Sequence, residues 1–411
     1  LGELLNVSFI GLGKLGLPLA TLLAKGNELI CIDKDKNIIN SLIENNYEFN
    51  EPGLEELFAK NKKNMQFTHE VNTEIFEKTD STIILVNTQL GNDGYSSKSV
   101  DVVFEQIGSV FSKVEKKYHH FILSSTVLPG SIKSLISNLE SYSGKEYLVD
   151  FGFTYVPDFV KLGSVIKDFQ SPDFFLVGSS NTDEYENAKK IWSPIHLNSP
   201  NSSNLTLEEV EIAKISLNAF IVNKISFANY LSVLCKNIEN VNVDNITSTI
   251  GMDERIGNKF FSAGPPFGGT CFPRDTYAFL SFAKKMNSDA KHVEFSNSIN
   301  EMIYEQLIIE IKPFKSVSIL GLSFKENTDV LIGSPSIEII KSLGETYKFY
   351  IFDYLVEPFQ DLGDNLVFCD SIEDALDKSE AVIIMHNDKR FKNLDLQEKK
   401  LIDPWNLYKN S

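Results

Sequence analysis

One of the four cysteines, Cys271, lies within the string Gly264-Pro-Pro-Phe267-Gly268-Gly269-Thr270-Cys271-Phe272-Pro273-Arg274-Asp275. The chemistry such a string can do is that of a positioned nucleophile. Its glycines let a substrate approach the backbone beside the thiol, and Asp275 follows the sulfur by four residues. Cys31, Cys235 and Cys369 lack this setting and read as small buried hydrophobes. Lys214 and Asn218 form a second pair, spaced i, i+4 on one helical face. Spacing alone makes them a solvated stripe. In a segment that is otherwise largely apolar, the same two groups directed into a cleft would stabilise a developing oxyanion.

The third constellation, Gly11-Leu12-Gly13-Lys14-Leu15-Gly16, follows an apolar β-rich run (7–10) and opens a helical pattern. The first two glycines permit a tight turn and close approach of a pyrophosphate. The third permits close helix–strand packing, and the helix N-terminus carries partial positive charge. Asp33 stands 22 residues after Gly11, at the end of the second apolar run, where a carboxylate accepts from both ribose hydroxyls. That acid repels a 2′-phosphate, so the expected cofactor is NAD rather than NADP, against the opposing charges of Lys34 and Lys36.

These groups need a scaffold that the rest of the pattern supplies. Further strands are expected near 82–87, 120–125, 149–155 and 174–178, preceded by amphipathic stretches such as 99–110, which predicts a parallel doubly wound sheet. Past Pro200 the chain turns polar, and Thr206-Leu-Glu-Glu209 fits a capping box. From there to about Asn237 no Gly or Pro interrupts, predicting one helix of roughly 30 residues, ~45 Å long. Its apolar residues (Val210, Ile215, Phe220, Ile221, Val222, Phe227, Leu231, Leu234) surround most of the circumference. Such a helix is buried on several sides, by its own domains and by a second subunit.

The last third repeats the first. Residues 316–324 parallel 6–14, 350–354 parallel 30–34, and 378–388 parallel 78–88, at offsets of 310, 320 and 300 residues. The second copy keeps only Gly321 of the glycine motif, so it should bind something other than a dinucleotide pyrophosphate there. The expected fold class is α/β: two Rossmann-like doubly wound parallel-sheet domains joined by a central helical domain. The expected boundaries are 1–200 for NAD binding, 201–300 for the helical dimerisation segment and 301–411 for the second Rossmann-like domain.

Composition sets the outer limits. With 411 residues and a net charge of −17, the chain is too acidic for nucleic acid or anionic membrane as bulk partners. No apolar run approaches the ~18 residues of a spanning helix. The start of the chain lacks a basic n-region and its apolar segment is broken by glycines, which argues against a secretory signal. The cysteines show neither a CxxC pair nor a zinc spacing, so no metal is expected, and reduced thiols in the cytoplasm are.

Taken together, the residues resemble the nucleotide-sugar 6-dehydrogenase family, which includes UDP-glucose and GDP-mannose 6-dehydrogenases. The likeness runs through 11–20, 50–57, 124–130, 157–173, 213–229, 255–257, 267–275 and 320–329, nearly the whole chain. The resemblance implies a four-electron oxidation of a primary alcohol to a carboxylate with two NAD reduced. In that scheme Cys271 forms a thiohemiacetal and then a thioester, and Asp275 with Lys214 holds a water. Lys214 and Asn218 stabilise the oxyanion, Asp158 is the general base and Thr126 orders the catalytic water. Gly11 to Gly16, Asp33, Thr88 and Thr126 would bind NAD. Phe159, Val160, Lys161, Arg255, Phe260, Phe267, Gly268 and Lys325 would bind the nucleotide sugar, with Arg255 reaching in from a neighbouring subunit. The family's substrates then point to UDP-glucose, with a UDP-N-acetylhexosamine or GDP-mannose as the alternative. A homodimer or higher homo-oligomer through the long helix is expected.

The sequence departs from the family pattern in particular places. Asp158 replaces a Glu and is one methylene shorter, Leu162 stands for a Glu, Gln89 for a Pro and Arg274 for a Lys. Val330 and Ile332 occupy the positions of an acid and of an Arg that approaches NAD. A noncatalytic NAD or nucleotide-sugar sensor is the alternative of another class; it needs no nucleophile, so an intact Cys271 with Lys214 and Asp275 speaks against it. A two-electron hydroxyacid dehydrogenase needs no cysteine in a glycine loop, and none of the six histidines has a comparable setting.

Overall fold

The runs at 7–10, 81–84 and 119–123 are buried on both faces, mixing apolar residues with a few small or ring polar ones. In the computed structural model, which describes residues 4–49, 51–91, 94–115, 118–359, 363–396 and 398–408, they form the middle of an eight-stranded sheet. Its order is Asn201–Leu205, Phe174–Ser179, Phe151–Tyr155, His119–Leu123, Ser81–Ile84, Leu5–Ile10, Asn27–Ile32 and Met65–Thr68. Alternate residues feed opposite cores: Val7, Phe9, Leu29 and Ile83 pack with Leu17 and Leu19 of helix Gly16–Leu23. Ile10, Ile84, Phe121 and Phe153 pack with Phe104 and Ile107 of helix Lys98–Phe111.

The pairing is parallel apart from Phe151–Tyr155 with Phe174–Ser179, which run antiparallel. The connection explains this exception. Its only helix, Val165–Gln170, has six residues, about 9 Å, too short to carry the chain back along a strand of about 17 Å. The chain therefore re-enters from the same end, and 157–170 stays at the carboxyl edge of the sheet, where α/β ligand sites lie. The polar segment after Pro200 is the edge strand Asn201–Leu205, whose side chains are mostly exposed.

Across the sheet centre runs a buried polar layer. His119 Nε2 lies 2.7 Å from Thr82 Oγ1, which lies 2.6 Å from Ser8 Oγ. His120 Nδ1 accepts from Asn187 at 2.7 Å, leaving Nε2 to donate to Thr154 at 2.6 Å. This neutral tautomer fits its surroundings, since burial pushes the His120 imidazole down to about 3.

The chain divides into two compact units, Leu1–Ile215 and Ser216–Ser411. The expected long helix is Leu207–Cys235, 29 residues, and its capping box forms as predicted: Thr206 N donates to Glu209 Oε2 at 2.7 Å and Glu209 N to Thr206 Oγ1 at 3.2 Å. Residues 216–235 belong to the second unit, with helices Val243–Gly251, Phe272–Lys285 and Lys291–Ile311. The second unit's sheet is wholly parallel, in the order Leu366–Phe368, Lys348–Phe352, Ser316–Leu320, Ala381–Ile384 and Lys400–Ile402. No helix among the described residues is long and apolar enough to cross a membrane.

Candidate active site

The glycine loop is built around two close approaches. Gly11 has φ +104°, and a Cβ there would lie 2.1 Å from the Leu85 carbonyl oxygen. A Cβ on Gly16 would lie 1.9 Å from the Gly11 oxygen, whereas Gly13 faces open space. Asp33 Oδ2 accepts from Leu12 N at 2.7 Å and Oδ1 from Asp35 N at 2.9 Å, which leaves acceptor capacity on both oxygens for ribose hydroxyls. A cleft of about 630 Å³ starts at Lys34 and is flanked by His69 and Val102. The residues present therefore fit a dinucleotide. Gly16→Ala should weaken NAD binding about tenfold or more, because the loop must shift to admit the methyl. Fluorescence titration with NAD checks this, and UDP binding should be unchanged.

The second unit preserves the same hydrogen-bond frame. Gly321 N donates to Phe352 O as Gly11 N does to Ile32 O, and Met385 N to Leu320 O as Leu85 N does to Ile10 O, all at 2.8–2.9 Å. Asp353 stands for Asp33, but its carboxylate accepts from the backbone N–H groups of Leu322, Ser323, Leu355 and Val356. Consumed by its own loops, it has little left for a ribose. No glycine follows to bring a helix against the strand. Residues 322–334 form a loop instead, tied down by Ser334 Oγ to Leu322 O (2.6 Å) and Ser336 Oγ to Gly321 O (2.7 Å). This loop carries Lys325.

Cys271 is exposed at the N-cap of helix Phe272–Lys285, with Pro273 in the first turn. The thiol therefore stands where the helix begins and is open to solvent. Asp275 is 1% exposed, and Asn218 Nδ2 donates to its Oδ2. The glycines of this loop do something the sequence did not reveal: they also admit other parts of the protein close to the loop. A Cβ on Gly268 would lie 2.1 Å from the Gly333 oxygen, on Gly269 2.6 Å from the Phe324 ring, and on Gly264 2.7 Å from the Trp405 ring. Beside the loop lies a cavity of about 240 Å³ lined by Phe260, Phe267, Gly268, Phe272, Lys325 and Trp405 among others.

In the first unit, Lys214 is 7% exposed; its Nζ donates to the Asp158 carbonyl and lies 4.4 Å from the Phe159 ring centroid. The Asp158 carboxyl oxygen Oδ2 is buried without a hydrogen-bond partner. Burial raises its pKa to about 7, against the opposing pull of Lys214. A carboxyl with that value is suited to proton abstraction near neutral pH. Thr126 is half-buried after strand His119–Leu123, in a loop joined to the Thr88 loop by Ser125 Oγ, which bonds both Val86 N and O.

Of the expected nucleotide-sugar residues in the second unit, Phe260, Phe267, Gly268 and Lys325 line one cavity. Arg255 is not among its lining residues. It is 87% exposed and pairs with Asp253, Nε to Oδ1 at 2.9 Å. Phe159, Val160 and Lys161 belong to the first unit, where Lys161 N donates to Asp168 at 3.0 Å. Two acids escaped sequence reading. Glu51 accepts from Gly163 N and Val165 N (3.0 and 2.7 Å), fixing the loop after Asp158. Glu211, 1% exposed, accepts from Gly130 N and Ile132 N (2.7 and 2.8 Å), tying the long helix to the Thr126 loop. A glutamate inside an apolar helical stretch was the available signal for Glu211. Asn50, which opens the string at 50–57, lies outside the described residues.

Comparison with known proteins bears on this arrangement directly. Models of the UDP-glucose/GDP-mannose dehydrogenase family match in order: the NAD binding domain over residues 5–196, the central domain over 208–302 and the UDP binding domain over 318–410. UDP-glucose 6-dehydrogenase of Rickettsia bellii is 30% identical over 414 residues, covering 96% of this chain and 92% of that protein. UDP-glucose 6-dehydrogenase TuaD of Bacillus subtilis is 29% identical over 410 residues, covering 97% and 87%. The structure of a UDP-glucose dehydrogenase from Pyrobaculum islandicum superposes with a TM-score of 0.89 at 27% identity, covering 99% of this chain and 95% of that one. With three domains matched in family order and a relative at 30% identity over nearly its full length, the chain belongs to the UDP-glucose/GDP-mannose dehydrogenase family.

Proposed function

We propose that this protein oxidises the C6 hydroxyl of UDP-glucose to the carboxylate, giving UDP-glucuronate, with two NAD reduced per turnover. The observation that carries the reading is the exposed Cys271 at a helix N-cap, with the buried Asp275 one turn on and bonded by Asn218, in a chain of this family. Bound NAD supplies the acceptor for both hydrides. Water held by Asp275 and Lys214 takes the C6 hydroxyl proton in the first oxidation. The Cys271 sulfur then adds to the aldehyde carbon, and the second oxidation turns this thiohemiacetal into a thioester. Asp158 takes a proton from the water, ordered by Thr126, that hydrolyses the thioester, while Lys214 and Asn218 donate to the tetrahedral oxyanion. Phe260, Phe267, Gly268, Lys325 and Arg255, with Phe159, Val160 and Lys161, hold the nucleotide sugar.

We assign NAD binding to 1–200 together with the edge strand Asn201–Leu205 of the same sheet, the helical segment to the rest of 201–300 and the UDP end to 301–411. The protein acts as a homodimer or larger homo-oligomer in the cytoplasm. Phe220, Phe227 and Leu234, seven residues apart along the long helix and 66%, 49% and 52% exposed, support a second copy as the cover of that stripe. Unpaired thiols on all four cysteines agree with a reducing compartment. NADH formed per sugar consumed tests the activity: two equivalents are expected with UDP-glucose. Two equivalents only with a UDP-N-acetylhexosamine or GDP-mannose would change the substrate, and none with any sugar would favour a sensor.

A further inference from the structure

We propose that Lys224 is a positioning residue for the nucleotide-sugar cavity: its ammonium clamps the turn at 256–259 and thereby fixes Phe260 as one wall of that cavity. The proposal rests on reading this cavity as the nucleotide-sugar site. Helix Val243–Gly251 runs out through turns in which Ile256 N and Gly257 N both donate to Asp253 O at 2.9 Å. Gly257 then takes a left-handed φ of +70°. Three carbonyls around this point, those of Ile256, Gly257 and Lys259, converge on Lys224 Nζ at 3.0, 3.0 and 2.6 Å. An ammonium has three N–H donors, so each carbonyl is matched by one of them.

What the clamp holds is a strained residue. Phe260 has φ +60°, a left-handed conformation that a bulky side chain adopts only when its surroundings enforce it, and such outliers gather at functional sites. Its ring lines the cavity and meets Phe272, the neighbour of Cys271, edge-on at 6.1 Å and 86°. The turn is fixed from a second side as well, since a Cβ on Gly251 would lie 1.9 Å from Asn258 Oδ1. Backed by helix on one side and clamped by Lys224 on the other, the turn leaves Phe260 no route to relax. Without the ammonium, water satisfies the exposed carbonyls, the turn loosens and Phe260 leaves the wall.

The test compares Lys224→Met and Lys224→Arg with the wild-type full chain. Lys224→Met should raise the KM for UDP-glucose about tenfold to a hundredfold, with the KM for NAD unchanged. It should also speed amide hydrogen exchange across 255–260. Lys224→Arg, which keeps donors for the carbonyls, should restore both. Unchanged exchange in 255–260 would overturn the clamp. Faster exchange with both KM values raised alike, or neither, would overturn its role in positioning. A wild type that binds neither UDP-glucose nor UDP would overturn the functional reading itself, and the exchange data would then decide the clamp alone.

Discussion

Cys271→Ser is expected to abolish uronate formation, lowering its rate by about 10⁴-fold or more, while NAD affinity stays within about twofold. The substitution is nearly isosteric, and serine is among the favoured N-cap residues, so the start of helix Phe272–Lys285 should be at least as stable as before. What changes is the nucleophile. A thiol ionises near 8.5 and its anion is a strong nucleophile, whereas a serine hydroxyl needs a base at hydrogen-bond distance. Beside the sulfur stands a hydroxyl, Thr270 Oγ1 at 3.6 Å, which is no base. A second difference lies in the intermediate, because an ester oxygen is a poorer leaving group than a thiolate. The accompanying signature is one NADH per site in a single turnover, without acid. Product chromatography with stopped-flow absorbance measures both, and wild-type acid production in the variant would end the covalent mechanism.

Much of the scaffold behind that thiol was legible because it depends on local periodicity. The strand–glycine–helix–strand unit at 6–33, the capping box at Thr206 and the single long helix each follow from residues within a turn or two of one another. The internal repeat was legible too, and its two copies share hydrogen bonds down to the Leu12–Asp33 and Leu322–Asp353 pairs. What could not be read are contacts between distant segments. Glu51 serves Gly163 across 112 residues and Glu211 serves Gly130 across 81. The antiparallel pair depends on how far a six-residue helix reaches. The glycines around Cys271 were legible only in part for the same reason: their missing side chains also make room for Gly333, Phe324 and Trp405, none of which the local string contains.

Asp158→Asn should lose about 10²- to 10⁴-fold in uronate formation yet gain stability above pH 7. The folded-state pKa of Asp158, about 7, stands above its unfolded value of roughly 3.9. Between these values the native state holds a proton that the unfolded state has lost. Stability contributed by the group is thus complete below about pH 4 and disappears as pH rises through 7. Three pKa units correspond to about 4 kcal/mol at most, less the attraction to Lys214 that the amide forfeits. His120 has the opposite sign: with a folded value of about 3 against roughly 6.5 unfolded, its contribution is intact above 6.5 and is lost as pH falls. In the wild type the two slopes oppose each other between about pH 4 and 6.5, flattening the acid side of the profile. The substituted amide carries no charge, so the variant should melt at a higher temperature than wild type at pH 8 and lose stability more steeply on acidification. Wild-type activity should meanwhile climb with pH through about 7, as Asp158 becomes a competent base. Melting curves at pH 5 and 8, paired with turnover at each, separate the effects. A variant less stable than wild type at pH 8, or one with full activity, would show that the buried carboxyl is neither the costly charge nor the base.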